Sequence, residues 1–80
     1  MSKTYFIPTA KYKKYLVLDI ISKNSELTQR EIARLAAISL SMVNQYLTDY
    51  ETDGYIVKEY ITKKSVKYLL TDKGLEYMRV

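Results

Sequence analysis

The strongest constraint on this chain is a pair of helix-start signals, at Thr28 and Ser39, that stand close together in the sequence. Thr28-Gln29-Arg30-Glu31 puts a hydroxyl at an N-cap and a carboxylate three residues on, the reciprocal pattern of a capping box, so a helix begins at Gln29. Ile32, Ala33, Leu35 and Ala36 are expected on its inner face, where the alanines let a second helix cross at short distance. Ser39 supplies the next cap hydroxyl, directly before another amphipathic run. Only Ala36 to Ile38 link the two helices. A link that short joins either an αα-hairpin or a helix-turn-helix, which differ in crossing angle.

The later helix is expected over Leu40 to Asp53, with Val43, Tyr46, Leu47 and Tyr50 in one narrow apolar arc. At about 100° per residue, Ser41, Gln45, Thr48 and Thr52 fall roughly half a turn away, flanked by Met42 and Asn44. That arc offers hydrogen-bonding groups without charge. Gly54 ends the helix in a left-handed conformation. Upstream, Tyr12, Tyr15, Leu16, Ile20 and Ile21 recur at helical spacing from Ala10 to Lys23, with Val17 and Leu18 widening the stripe and Asn24 as its left-handed closing residue. Lys11, Lys13 and Lys14 read as a solvated face of that helix. Residues 1–9 are expected as an extended arm, given Thr4 to Ile7 and Pro8, ahead of a domain expected over residues 10–80.

Beyond Gly54 the apolar period shortens to two. Tyr55 to Tyr60 and Ser65 to Leu70 are expected as an antiparallel hairpin around Ile61-Thr62-Lys63-Lys64, and Thr71 then caps a short helix over Asp72 to Met78 with Leu75 and Met78 inward. The chain stops at Arg79-Val80 with no capping residue, as a truncated chain would, so a further domain past Val80 is expected.

Composition narrows the function. With 80 residues there is room for one modest core, and 48% hydrophobic with 28% charged residues is ordinary globular usage. The absence of cysteine removes disulfides and thiolate metal sites, and the absence of histidine removes the commonest general base and metal ligand. The nine carboxylates have no neighbouring base, phosphate-cradling loop or metal-ligand partner, so no enzyme and no cofactor is expected. A net charge of +4 favours a polyanionic partner. The apolar stretch from Tyr15 to Ile21 is broken by Asp19 and is too short to span a membrane, and no secretory leader is legible, so a cytoplasmic protein is expected. Among nine tyrosines, Tyr15, Tyr46, Tyr50, Tyr55 and Tyr68 are expected to bury their rings.

This order, three helices and then a two-stranded hairpin, resembles a winged helix-turn-helix domain of the α+β class: a three-helix core, a β-hairpin wing and a short C-terminal helix. Leu27 to Ala33 is similar to the start of the second helix in bacterial winged-helix regulators, Ile38 to Leu47 to their recognition helix, and Asp53-Gly54-Tyr55-Ile56 to the start of their wing. Tyr68-Leu69-Leu70-Thr71-Asp72-Lys73-Gly74 is similar to the segment closing the wing in MarR-type transcriptional regulators. Two departures stand out: Gln45 where many relatives carry arginine or lysine, and three carboxylates at Asp49, Glu51 and Asp53.

The resemblance implies sequence-specific binding of double-stranded DNA, by a regulator or by the DNA-binding part of a longer chain. Asn44 and Gln45 would pair with adenine edges, Ser41 and Thr48 with a base or phosphate, and Leu40 and Met42 with a thymine methyl. Backbone N–H groups after the Thr28 and Ser39 caps would hold phosphates, as would Lys63 and Lys64 at the hairpin tip and Lys67 on the returning strand. On the opposing view the polar arc is merely solvated and the lysines guard a strand edge. A homodimer is the expected assembly, through Tyr5-Phe6-Ile7 or the terminal helix. The alternative function is a winged-helix interaction or regulatory module attached to a larger protein such as a nucleotidyltransferase, which the acidic run Asp49 to Asp53 favours.

Overall fold

The computed structural model describes residues 10–79. Its elements are α1 (Ala10–Lys23), α2 (Gln29–Ala36), α3 (Leu40–Thr52), β1 (Ile56–Tyr60), β2 (Val66–Leu70) and α4 (Asp72–Met78). Thr28, Ser39 and Thr71 all have extended backbones and cap α2, α3 and α4, their hydroxyls accepting from Glu31 N, Met42 N and Gly74 N. The capping box is complete, since Glu31 Oε1 takes the Thr28 N–H at 2.8 Å. The expected arm, with Tyr5-Phe6-Ile7, lies outside the described residues.

Between α2 and α3 the chain turns through Ala37 in the left-handed region (φ 57°, ψ 47°), with Ile38 N donating to Ala33 O and Ala37 N to Arg34 O. This is a Schellman closure made on alanine where glycine is the usual choice. The left-handed closing residue expected at Asn24, after α1, is not found there: among the described residues only Ala37 and Gly54 have positive φ. Asn24 makes an Asx turn, its Oδ1 accepting from Glu26 N at 3.0 Å.

Val17, Leu18, Ile21, Ile32, Ala36, Val43, Leu47, Tyr50, Ile56 and Tyr68 form the buried centre. Three expectations about facing fail. Tyr15 is 38% exposed because α1 packs on α2, α3 and β2 together, which centres its inner arc on Val17, Leu18 and Ile21. Leu35 is 54% exposed, because the short α2 rests on Ile32, Ala33 and Ala36. Leu75 is 50% exposed: α4 seats on its glycine, with Tyr77 stacked on Tyr55 at 4.6 Å and Met78 against the core.

β1 and β2 pair antiparallel from Ile56↔Leu70 to Tyr60↔Val66. Tyr55 falls outside the ladder because its N–H goes to Tyr50 O and its carbonyl accepts from Thr71 N, which ties the end of α3 to the start of α4. On the other edge of β2, Tyr68 N donates to Ser25 O at 3.2 Å. The hairpin is thereby fastened to the segment that leads into α2.

Candidate nucleic-acid interface

α3 is turned as its apolar spacing requires. Val43, Tyr46, Leu47 and Tyr50 are buried, and Leu40, Ser41, Met42, Asn44, Gln45, Thr48 and Thr52 are exposed. Behind it, Tyr50 donates its hydroxyl to the Lys14 carbonyl, and burial pushes that phenol's pKa far up. Lys14 Nζ stands 3.0 Å from Asp49 Oδ2 and over the Tyr46 and Tyr50 rings. Lys13 Nζ donates to Ala36 O at 2.7 Å, closing the C-terminal end of α2, where a cation suits the helix dipole. Lys13 and Lys14 are thus structural ties between helices, correcting their reading as a solvated face.

The hydrogen bonds within the exposed face decide what it can offer. Gln45 Nε2 donates to Asp49 Oδ1 at 2.9 Å, and Thr48 Oγ1 donates to Asn44 O at 2.8 Å. Ser39 and Ser41 hydroxyls lie 3.2 Å apart at the helix start. The Lys14 and Gln45 hydrogen bonds hold the Asp49 carboxyl below its usual range, so it is ionised and accepts only.

The two helix starts differ electrically. Each cap hydroxyl takes one first-turn N–H and leaves others to solvent or a ligand. At α2 the Glu31 carboxylate, held below its usual pKa by the Thr28 backbone and hydroxyl with Arg34 nearby, would repel an anion. α3 has no acid in its first turn, which makes the Ser39 start the more electropositive of the two.

The wing is pinned on both strands at the middle of its ladder. Lys58 lies 3.8 Å from Glu51 of α3, while Gln29 Nε2 of α2 donates to the Tyr68 hydroxyl at 2.8 Å. A cleft of about 200 Å³ between the start of α2 and the wing brings Thr28, Gln29 and Lys64 together. Lys63 and Lys64 are exposed at the tip, whereas Lys67 is half-buried with Nζ 3.8 Å from Glu26 Oε2. Lys67 therefore sits below the tip, beside a carboxylate. Both acids of α3, Asp49 and Glu51, are likewise matched by the chain's own lysines, and Asp53 follows as its C-cap.

Sequence reasoning missed Asp49 as a partner of Gln45. Their four-residue spacing carried that signal, since amide and carboxylate at this separation meet on a helix. The Lys14 contact, thirty-five positions away, had no such signal.

The winged helix-turn-helix DNA-binding family matches residues 12–57, from α1 into the first strand of the wing. This chain belongs to that family. Winged-helix regulators of known structure share its fold: a MarR family transcriptional regulator from Silicibacter pomeroyi (TM-score 0.72, 21% identity, 82% of this chain and 45% of that one) and the PcaV regulator of Streptomyces coelicolor (0.72, 22%, 84% and 51%). Streptococcus pneumoniae FabT, in a structure with DNA, aligns with TM-score 0.69 and 25% identity over 84% of this winged helix and 48% of its own length. The chain thus spans about half the length of these proteins. No curated protein sequence matches it. No helix among the described residues is long and apolar enough to cross a membrane.

Proposed function

We propose that this winged helix binds double-stranded DNA sequence-specifically, as a transcriptional regulator or as the DNA-binding part of one. The observation that carries the reading is the exposed, uncharged face of α3, with Asn44 and Gln45 outward beside a wing tipped by Lys63 and Lys64. α3 enters a major groove from its Ser39 end, where Leu40, Ser41 and Met42 meet base edges or methyl groups first. Phosphates lie against the first turn of α3 and against Lys63 and Lys64, while Lys67 contributes positive potential from below the tip. The two matched acids leave the C-terminal half of α3 less repellent to DNA than its sequence implies.

The reading assigns no catalytic role and no cofactor. It places the chain in the cytoplasm, as the leading domain of a longer protein that acts as a symmetric pair. The exposed Leu75 and Tyr77 of α4 support a contact surface there, and the half-length match to whole regulators supports a continuation.

Selection from a random duplex library at low salt, run beside a sizing column, tests the proposal. An enriched palindrome whose affinity falls steeply with salt is expected, because phosphate neutralisation releases counterions. A salt-insensitive interaction, or none at millimolar ionic strength, overturns it.

A further inference from the structure

The face that α3 presents is not chemically even. An amide can offer either its oxygen or its nitrogen, and a hydroxyl can donate or accept. Both choices are made here by neighbours. Asp49 is a carboxylate and can only accept, so the Gln45 end beside it, at 2.9 Å, must be Nε2, which turns Oε1 to the other side of the amide. Lys14 holds the opposite carboxylate oxygen at 3.0 Å from α1, so the carboxylate cannot swing away freely. One turn along, Thr48 spends its only proton on Asn44 O at 2.8 Å, leaving lone pairs outward. The Asn44 side chain, exposed beside them, has no such restraint among the described hydrogen bonds.

We propose that α3 displays a row of hydrogen-bond acceptors, Gln45 Oε1 set by Asp49 and Lys14 and Thr48 Oγ1 set by its own backbone, which selects the amino-bearing base on one strand. This rests on the DNA-binding reading above. In the major groove the amino groups belong to adenine (N6) and cytosine (N4), whereas guanine and thymine show acceptors at the same edge. Every base pair carries one amino group there, so an acceptor row does not separate A·T from G·C. It separates A·T from T·A and C·G from G·C. The selected site therefore contains a position that tolerates adenine or cytosine on the contacted strand and rejects the same pairs inverted. Asp49 and Lys14 are positioning residues: they act on DNA only through Gln45.

The test uses the chain with duplexes drawn from the selection. Gln45→Ala first identifies the base pair that Gln45 reads, as the position where discrimination disappears. Inverting that pair is expected to cost the wild type about tenfold in affinity, the value of one good base contact. In Asp49→Asn, Lys14 keeps the amide oxygen on its side and turns the amide nitrogen toward Gln45, whose own amide then flips to present Nε2, so the inversion cost is expected to vanish or change sign. Asp49→Ala, which leaves the Gln45 amide free to turn, is expected to lower the cost to about twofold, and the isosteric variant decides if the alanine variant does not fold. A merely structural role for Asp49 would weaken all duplexes alike and leave their ranking intact. The inference is overturned if Gln45→Ala changes discrimination nowhere, if the preferred bases are guanine or thymine, or if both folded Asp49 variants keep the full inversion cost while binding stays salt-dependent. Absence of any salt-dependent duplex binding by the wild type would instead remove the DNA reading itself.

Discussion

At Gly74 an added Cβ would stand 2.2 Å from the Tyr55 carbonyl oxygen and 2.7 Å from Leu70 Cδ2, so this glycine is required by contact and not by φ. The carbonyl is held by Thr71 N and cannot retreat without loosening the α3 to α4 tie. Gly74→Ala is expected to cost at least about 2 kcal/mol, through overpacking, in chemical denaturation. Ala37 is the reverse case. Its side chain tolerates a left-handed backbone that glycine adopts freely, so Ala37→Gly should stabilise the domain by about 0.5–1 kcal/mol in the same assay. Gly54, at φ +82°, was legible as a helix terminator because its residue type carries the signal. Gly74 and Ala37 were not, because their importance lies in what surrounds them.

Caps set the elements. Thr71 Oγ1 accepts from Gly74 N and donates to Gly54 O at 2.6 Å, so one hydroxyl starts α4 and holds the turn after α3. Thr71→Ala should lose about 1–2 kcal/mol, read from thermal or urea unfolding. At the α2 start, Glu31 is held below its usual pKa by the Thr28 hydrogen bonds. A depressed carboxylate stabilises the fold when ionised, so its contribution is full above the ordinary carboxylate pKa and is lost as pH falls through the lower folded value. Asp49 behaves alike through Lys14 and Gln45. Melting temperature should therefore drop on acidification below the ordinary carboxylate range, and Glu31→Gln should remove part of that drop. Helix bounds were readable from caps because a cap is a local hydrogen bond between residues a few positions apart. Helix facing was less so: Leu35 and Leu75 fit the apolar periodicity yet point to solvent, since the partner elements fix which side of a wide apolar stripe is covered.

On the proposed DNA-binding reading, charge and specificity belong to different surfaces. Lys64→Ala is expected to weaken all duplexes about equally and lower the slope of log affinity against log salt by about one. Asn44→Ala should leave that slope alone and remove about 1–3 kcal/mol of discrimination at one base pair, measured across a panel of single-position duplex variants. Element order, the three caps, the wing and the outward polar arc of α3 could all be read in the residues, because each depends on neighbours within a turn or a hairpin. The roles of Lys13 and Lys14 as helix ties, the pairing of Lys67 with Glu26, and the hold of Lys14 on the Asp49 carboxylate beside Gln45 depend on groups brought together from distant positions. Local periodicity narrows which arc of a helix can turn inward, but the side that is covered, and the partner that settles a side chain's protons and charge, are decided only when the helices close on one another.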